Sequence, residues 1–208
     1  MLKKLGIVMG SATQAAAVFE ARIPDFWSVP YATPSEYIRF CWSAHESHPE
    51  KNPNLNGIIF EYILATLCIR EGFLPLYLSA KVAFVPNVIY DLMLYSKERG
   101  PICLSVKTSL RERYKQADLE AIALKYVHRK SLNYLITLDD VAARAVKAKI
   151  KTGDVIGLDD VIVATSSDFD TLVAELKHYC FESPPPVQVI ASNQVITHDT
   201  LLALGINR

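Results

Sequence analysis

Three apolar runs follow one another with short breaks between residues 74 and 107, and this succession leaves the chain few ways to fold. Residues 74–85 and 87–96 are rich in Val, Ile, Leu, Phe and Tyr, which suits strands. Lys97 to Pro101 is a polar turn, and Ile102 to Lys107 is a third strand. Before them, Asn56 to Glu71 is apolar at helical spacing and stops at Gly72. After them come a helix from Arg111 to His128 and a strand from Leu132 to Leu138. The order is helix, three strands, helix, strand. It predicts an α/β domain with an αβββαβ core, a mixed central sheet and flanking helices.

The rest of the chain extends that core. The 208 residues suffice for a single domain, residues 1–208. Residues 1–55 read as mostly helical and end in the polar loop His45 to Asn56; residues 56–138 form the core. Residues 139–208 form a C-terminal α/β extension, where Pro184-Pro185-Pro186 is a hinge or rigid turn before a short strand and helix. Cys41, Cys68, Cys103 and Cys180 form no CxxC pair and read as reduced thiols. The apolar start, Met1 to Met9, is broken by Ser11, Thr13 and Gln14, and no cleavage signature comes after it. No segment reaches the roughly 20 apolar residues of a membrane helix. The expectation is a cytoplasmic protein without membrane contact.

Four polar residues sit where apolar ones are expected. Glu61 has Gly57, Ile58, Leu64 and Ala65 as helical neighbours, and a carboxylate there is costly unless paired or bound to a metal. Asp91 interrupts Val88 to Leu94, with Ile89 and Met93 on its side of the strand. Lys107 ends its strand on the face shared by Cys103 and Ser105. Glu120 points toward Ala117, Leu124 and Val127, with Gln116 one turn before it. Each has an ordinary alternative: a structural Glu satisfied by a buried Arg, a strand bulge, a solvated strand end. Together they place two carboxylates on helices and one on a strand, with a Lys on the neighbouring strand. The Lys97–Pro101 turn would pair those strands and bring Asp91 near Lys107. Carboxylate oxygens suit Mg²⁺, which keeps several waters and completes its shell with phosphate oxygens.

With Asp91, Ser105-Val106-Lys107 and Glu61 in that order of elements, the chain resembles the PD-(D/E)xK nuclease superfamily and its restriction-endonuclease-like fold. In the usual motif an acidic residue stands two positions before the Lys; here Ser105 takes that place. A subgroup of Type II restriction endonucleases shows the same change, with the second carboxylate moved to the following helix. The twelve residues between Lys107 and Glu120 match that subgroup's spacing. Pro86-Asn87 is similar to the "PD" dipeptide with Asn for Asp, so Asp91 or Asn87 occupies the first acidic position; the charge favours Asp91. The resemblance implies that Asp91 and Glu120 hold Mg²⁺, with the Val106 carbonyl as a further ligand. It implies that Lys107 positions or activates the attacking water and that Glu61 binds a second metal or a metal-bound water. Ser105 is then a spacer that leaves room for the helix carboxylate. The family breaks the P–O3′ bond and leaves a 5′ phosphate.

The charge pattern is compatible with this. Lys and Arg number 22 and Asp and Glu number 22, which argues against coating of nucleic acid through bulk positive charge. Basic groups do gather after the third strand: Arg111, Arg113 and Lys115 are expected to contact DNA, helped by helix N-terminal amides. Lys125, Arg129 and Lys130 fit a helix C-terminus equally well. Cutting both strands of double-stranded DNA with one site per chain implies a homodimer. His45-Glu46-Ser47-His48 is not a zinc motif, and without a Gly-rich phosphate loop no nucleotide cofactor is expected. Asp139-Asp140 and Asp159-Asp160 are each expected to cap the helix or turn immediately after them. The expected function is a Mg²⁺-dependent Type II-like restriction endonuclease. The alternatives are a structure-specific repair or recombination nuclease of the same fold, or a noncatalytic α/β interaction protein.

Overall fold

Asn52 and Pro53 set where the first core helix begins. Asn52 accepts a hydrogen bond from the Leu55 amide, and Pro53 takes the first helical position, where a missing N–H costs nothing. The helix therefore starts three residues before the expected Asn56, and the loop expected over His45–Asn56 is shorter. The computed structural model describes residues 1–9, 13–47, 52–185, 190–192 and 194–206. Residues 48–51 of that loop, and Pro186 of the proline run, lie outside the described residues.

The helices are α1 (Gln14–Arg22), α2 (Pro34–Glu46), α3 (Pro53–Arg70), α4 (Arg113–Val127), α5 (Asp140–Thr152), α6 (Ser167–Leu176) and α7 (His198–Ala203). The strands are β1 (Leu76–Val82), β2 (Tyr90–Ser96), β3 (Gly100–Lys107), β4 (Leu132–Thr137), β5 (Asp160–Val163), β6 (Ile190–Ala191) and β7 (Gln194–Ile196). Thus α3-β1-β2-β3-α4-β4 is the αβββαβ core read from the sequence. The expected strand over 74–85 is trimmed at both ends and that over 87–96 at its start, and β3 starts at Gly100 rather than Ile102. Gly100 carries a φ of 74° where it closes the β2–β3 hairpin, so the turn takes fewer residues than the polar run suggests.

The sheet is mixed. Its order is β5-β4-β3-β2-β1, with β6 and β7 both pairing with β1. β1, β2 and β3 are antiparallel neighbours, with Met93 opposite Cys103 and Leu92 opposite Leu104. β3, β4 and β5 are parallel, as strands separated by crossover helices must be. This connectivity brings the C-terminal ends of β1, β3, β4 and β5 and the N-terminal end of β2 to one end of the sheet.

Alternation along the strands divides the core. Leu92, Leu94, Leu104, Val106, Ile136 and Ile162 join one large cluster with residues of α1, α2, α3 and α6. Met93 and Cys103 pack with Leu124 of α4, and Leu135 and Val161 pack with Ala117 and Ala121 of α4 and Val146 of α5. Helices therefore cover both faces. Among the described residues no helix is long and apolar enough to cross a membrane.

The C-terminal extension is tied to α4. Asp118, almost fully buried, accepts hydrogen bonds from the amides of Ile156, Gly157 and Leu158 at 3.1, 2.6 and 3.2 Å. Gly157 lies so close that a Cβ there would stand 2.7 Å from the Ile122 amide nitrogen. Asp139 caps α5 as expected, accepting from the Ala142 amide. Asp159 and Asp160 do not cap: Asp160 opens β5, while Asp159 accepts from the Asn133 amide and pairs with Lys125 at 2.9 Å. A strand start beside a helix C-terminus gives those two acids closer partners than a downstream turn. Cys41, Cys68, Cys103 and Cys180 are all free thiols, three of them buried.

Candidate active site

The hairpin brings Asp91 and Lys107 together. Lys107 Nζ donates to Asp91 Oδ2 at 2.7 Å, and the Val106 amide donates to the same oxygen at 2.7 Å. Each side chain is 18% exposed, so the pair is shielded from water yet open on one side. One register step beyond Leu92–Leu104, Asp91 falls opposite Ser105, which is buried. An acidic residue at position 105 would face Asp91 directly, and like charges opposite each other destabilise a strand pair. Serine there removes that repulsion.

Glu120 reaches the same place from α4. Tyr90, one residue before Asp91, donates its hydroxyl to the Glu120 carbonyl at 3.0 Å and pins that turn of the helix to the start of β2. Gln116 donates to Glu120 Oε1 at 2.8 Å. Burial raises the Glu120 carboxyl above its ordinary value; the Gln116 hydrogen bond and the Lys107 charge oppose this, while the Asp91 charge adds to it. Glu61 approaches from α3. Burial pushes its carboxyl up to about 7, the Asp91 charge pushes the same way, and Lys107 opposes both. Glu61 and Glu120 therefore each lie within electrostatic reach of the Asp91–Lys107 pair. Among the described residues, none of the three carboxylates has the buried Arg partner that an ordinary structural role would supply; Asp91 pairs with Lys107, and Glu120 accepts from Gln116.

Two clefts meet at Glu61. One, of about 310 Å³, is lined by Asn54 and Glu61 of α3, Lys107 at the end of β3 and Thr108 after it, and Arg113 and Gln116 of α4. The other, of about 220 Å³, is lined by Glu61, Tyr62, Ser79 and Asp91. Ser79 has a φ of 48°, an uncommon conformation for a serine in a strand. Asn87 is exposed at a φ of 63° in the β1–β2 loop, away from both clefts and against a separate groove. Of the two candidates for the first acidic position, Asp91 is the one at Lys107.

The basic residues divide. Arg113 lines the larger cleft. Arg111 is exposed at a φ of 30° just before α4. Lys115 is exposed and ion-paired to Glu112. α4 begins without a side-chain cap; the Arg113 amide donates instead to the Leu110 carbonyl and the Lys115 amide to the Glu112 carbonyl. Tyr90 and Ser79 give no sign of themselves in the sequence. An aromatic or a serine in a strand carries no signal that separates it from ordinary packing.

The donor set suits a hard cation. Asp91, Glu120, Glu61 and the Val106 carbonyl all offer oxygen, and Mg²⁺ needs only one or two carboxylates because it retains water. Among the described residues no three His, Cys, Asp or Glu side chains stand close enough to form a ready-made cation site. The two glutamates instead each feel the charge of Asp91, which Lys107 pairs.

No model of a protein family matches this sequence, and no curated protein matches it. Among solved structures, a complex of the restriction endonuclease PspGI with substrate DNA is similar over 83% of each chain, with 17% sequence identity and a TM-score of 0.54. At that identity the likeness is one of architecture, and the fold of this chain is restriction-endonuclease-like.

Proposed function

We propose that this protein is a Mg²⁺-dependent endonuclease that hydrolyses phosphodiester bonds in double-stranded DNA, in the manner of a Type II restriction enzyme. The observation that carries the reading is the Lys107–Asp91 pair at the sheet end, with Glu61 and Glu120 converging on it from helices on either side. A noncatalytic protein would gain nothing from two half-buried glutamates kept within reach of the Asp91 carboxylate. A solved structure of similar architecture is a restriction endonuclease in complex with substrate DNA, which supports DNA as the partner.

Asp91, Glu120 and the Val106 carbonyl would hold Mg²⁺, with Glu61 binding a second ion or a metal-bound water. Once bound, Mg²⁺ supplies charge stabilisation at the phosphate and a more acidic water. Lys107 is held by Asp91 at the mouth of the larger cleft, where its ammonium can donate to the scissile phosphate or to the attacking water. Glu61 can exchange a proton near neutrality from a position between the two clefts. Ser105 leaves space opposite Asp91. Arg113, Arg111 and Lys115 would grip phosphates beside the cleft. A water gives up a proton as its oxygen adds to phosphorus, the P–O3′ bond breaks, and a 5′ phosphate and a protonated 3′ hydroxyl result. Two copies related by a twofold axis would serve the two strands.

The test is cleavage of plasmid and phage DNA with Mg²⁺ or EDTA, for the wild-type protein and Asp91→Ala. Discrete fragments that require Mg²⁺ and Asp91 are expected. Cutting confined to branched DNA would move the protein to a repair or recombination role. A folded wild type that cuts neither substrate refutes the nuclease reading.

A further inference from the structure

The loop between β1 and β2 holds an aromatic residue that the fold does not need. Val82 and Val85 are buried, and the Val85 amide donates to the Val82 carbonyl at 3.1 Å, so the turn is anchored in the core. Between them Phe84 is turned outward, 82% exposed, at a φ of 64°. That conformation is uncommon for any side chain and an outlier for a bulky one; glycine would adopt it freely. The fold thus keeps a strained phenylalanine in water where a small residue would close the same turn. Ile89, at the far end of the loop, is 53% exposed.

The loop lies at the end of the sheet that carries the candidate active site. β1 and β2 are antiparallel, so the loop leaves β1 and enters β2 at the end where Asp91 and Lys107 meet. Ile89 precedes Asp91 by two residues, roughly 7 Å of extended chain. That is less than the width of a major groove, about 12 Å. Phe84, Ile89 and Lys81 line a wide open groove of about 740 Å³, in which Lys81 is the one charged lining residue. An apolar wedge flanked by a cation and by no carboxylate matches a base stack edged with phosphate.

We infer that the β1–β2 loop is a DNA wedge: Phe84, supported by Ile89, inserts against the bases of the duplex held at the candidate active site, while Lys81 meets its backbone. The inference rests on the nuclease reading for the identity of the partner. Apolar side chains pushed into a base step partly unstack it and kink the duplex. A rigid turn that holds the ring out in advance avoids ordering it on binding.

The experiment uses the full chain in EDTA with a fluorescein-labelled 30-base-pair duplex of mixed sequence, and with relaxed closed-circular plasmid treated with topoisomerase. Phe84→Ala and Phe84→Gly are compared with wild type and Lys81→Ala. Both Phe84 variants are expected to fold with unchanged or higher Tm. They should lose roughly tenfold to a hundredfold in affinity, the span of one lost stacking contact. Their salt dependence should stay as in wild type, whereas Lys81→Ala should reduce the salt slope by about one. Wild type should shift the plasmid's linking number, and the Phe84 variants should not. Unchanged affinity and linking number in both variants overturn the wedge, even where Mg²⁺ cleavage still depends on Asp91. A wild type that cuts but binds without unstacking likewise overturns the wedge while leaving the nuclease reading intact. A wild type that binds no DNA overturns both. A Phe84 variant that loses self-association instead of DNA affinity assigns the loop to a protein contact and overturns the inference.

Discussion

Glu61 sets up a conflict between stability and site chemistry that can be measured without substrate. Its carboxyl is pushed up to about 7 from an ordinary 4.5, first by burial and then by the Asp91 charge. The folded state therefore binds a proton more tightly than the unfolded chain does. That contribution is fully present below pH 4.5, falls as pH rises, and is gone once pH passes the folded value. Above neutrality the ionised side chain costs the fold roughly 3 kcal/mol, since each tenfold change in proton affinity corresponds to about 1.4 kcal/mol. Glu61→Gln keeps the shape and removes the charge. In EDTA at pH 8 the variant should be about 3 kcal/mol more stable, or roughly 6–12 °C higher in Tm for a chain of this size. By pH 4 the two proteins should coincide. Mg²⁺ should narrow the gap at pH 8 by stabilising the wild type more than the variant, which keeps Asp91 and Glu120 but lacks the Glu61 carboxylate. Urea unfolding at pH 4, 6 and 8, with and without Mg²⁺, reads all three trends. A variant that is equally or less stable at pH 8 in EDTA would refute the claim that Glu61 is held ionisable at a cost to the fold.

The remaining predictions concern the neighbouring groups. Asp91→Asn keeps an acceptor for the Val106 amide, so it should fold while losing at least about a hundredfold in cleavage, measured with plasmid DNA. Lys107→Met leaves the Asp91 carboxylate with the Val106 amide alone, and should cost about 1–3 kcal/mol in urea unfolding as well as activity. Gly157→Ala places a methyl group against the backbone of Asp118 and Ile122, neither of which can swing aside; a loss of about 3 kcal/mol is expected by calorimetry. Arg113→Ala should weaken DNA binding across all sequences and reduce the salt slope by about one, as a phosphate contact does.

The order of elements is legible because its signals are local. Period-two runs, a polar turn and glycine or proline stops each depend on residues near in sequence. Boundaries slip where a cap outweighs hydropathy, as at Asn52 and Pro53, which start α3 ahead of its apolar stripe. The candidate site is legible for a different reason. Glu61, Asp91 and Glu120 break the pattern around them, and such a break has a cost that needs an explanation. Tyr90 cannot be found this way: a tyrosine entering a strand breaks no pattern, and its bond to Glu120 joins elements 30 positions apart. Ser79 and Phe84 are hidden because their signal is a backbone angle, which composition does not encode. Asp159 resembles a cap in sequence because its true partners, Asn133 and Lys125, lie far upstream.

The clamp around α4 bears on how such a chain can be cut or recombined. One face of the helix is bolted to β2 by Tyr90, and the other is stitched to residues 156–158 through the Asp118 carboxylate. Deleting the segment after residue 155 would strip three amide donors from a carboxylate with little access to water, and the helix would have to re-seat, carrying Glu120 with it. Any chimera that swaps this core into another protein must therefore bring the 156–158 loop along as its far bearing. The minimal transferable unit is longer than the αβββαβ pattern alone suggests.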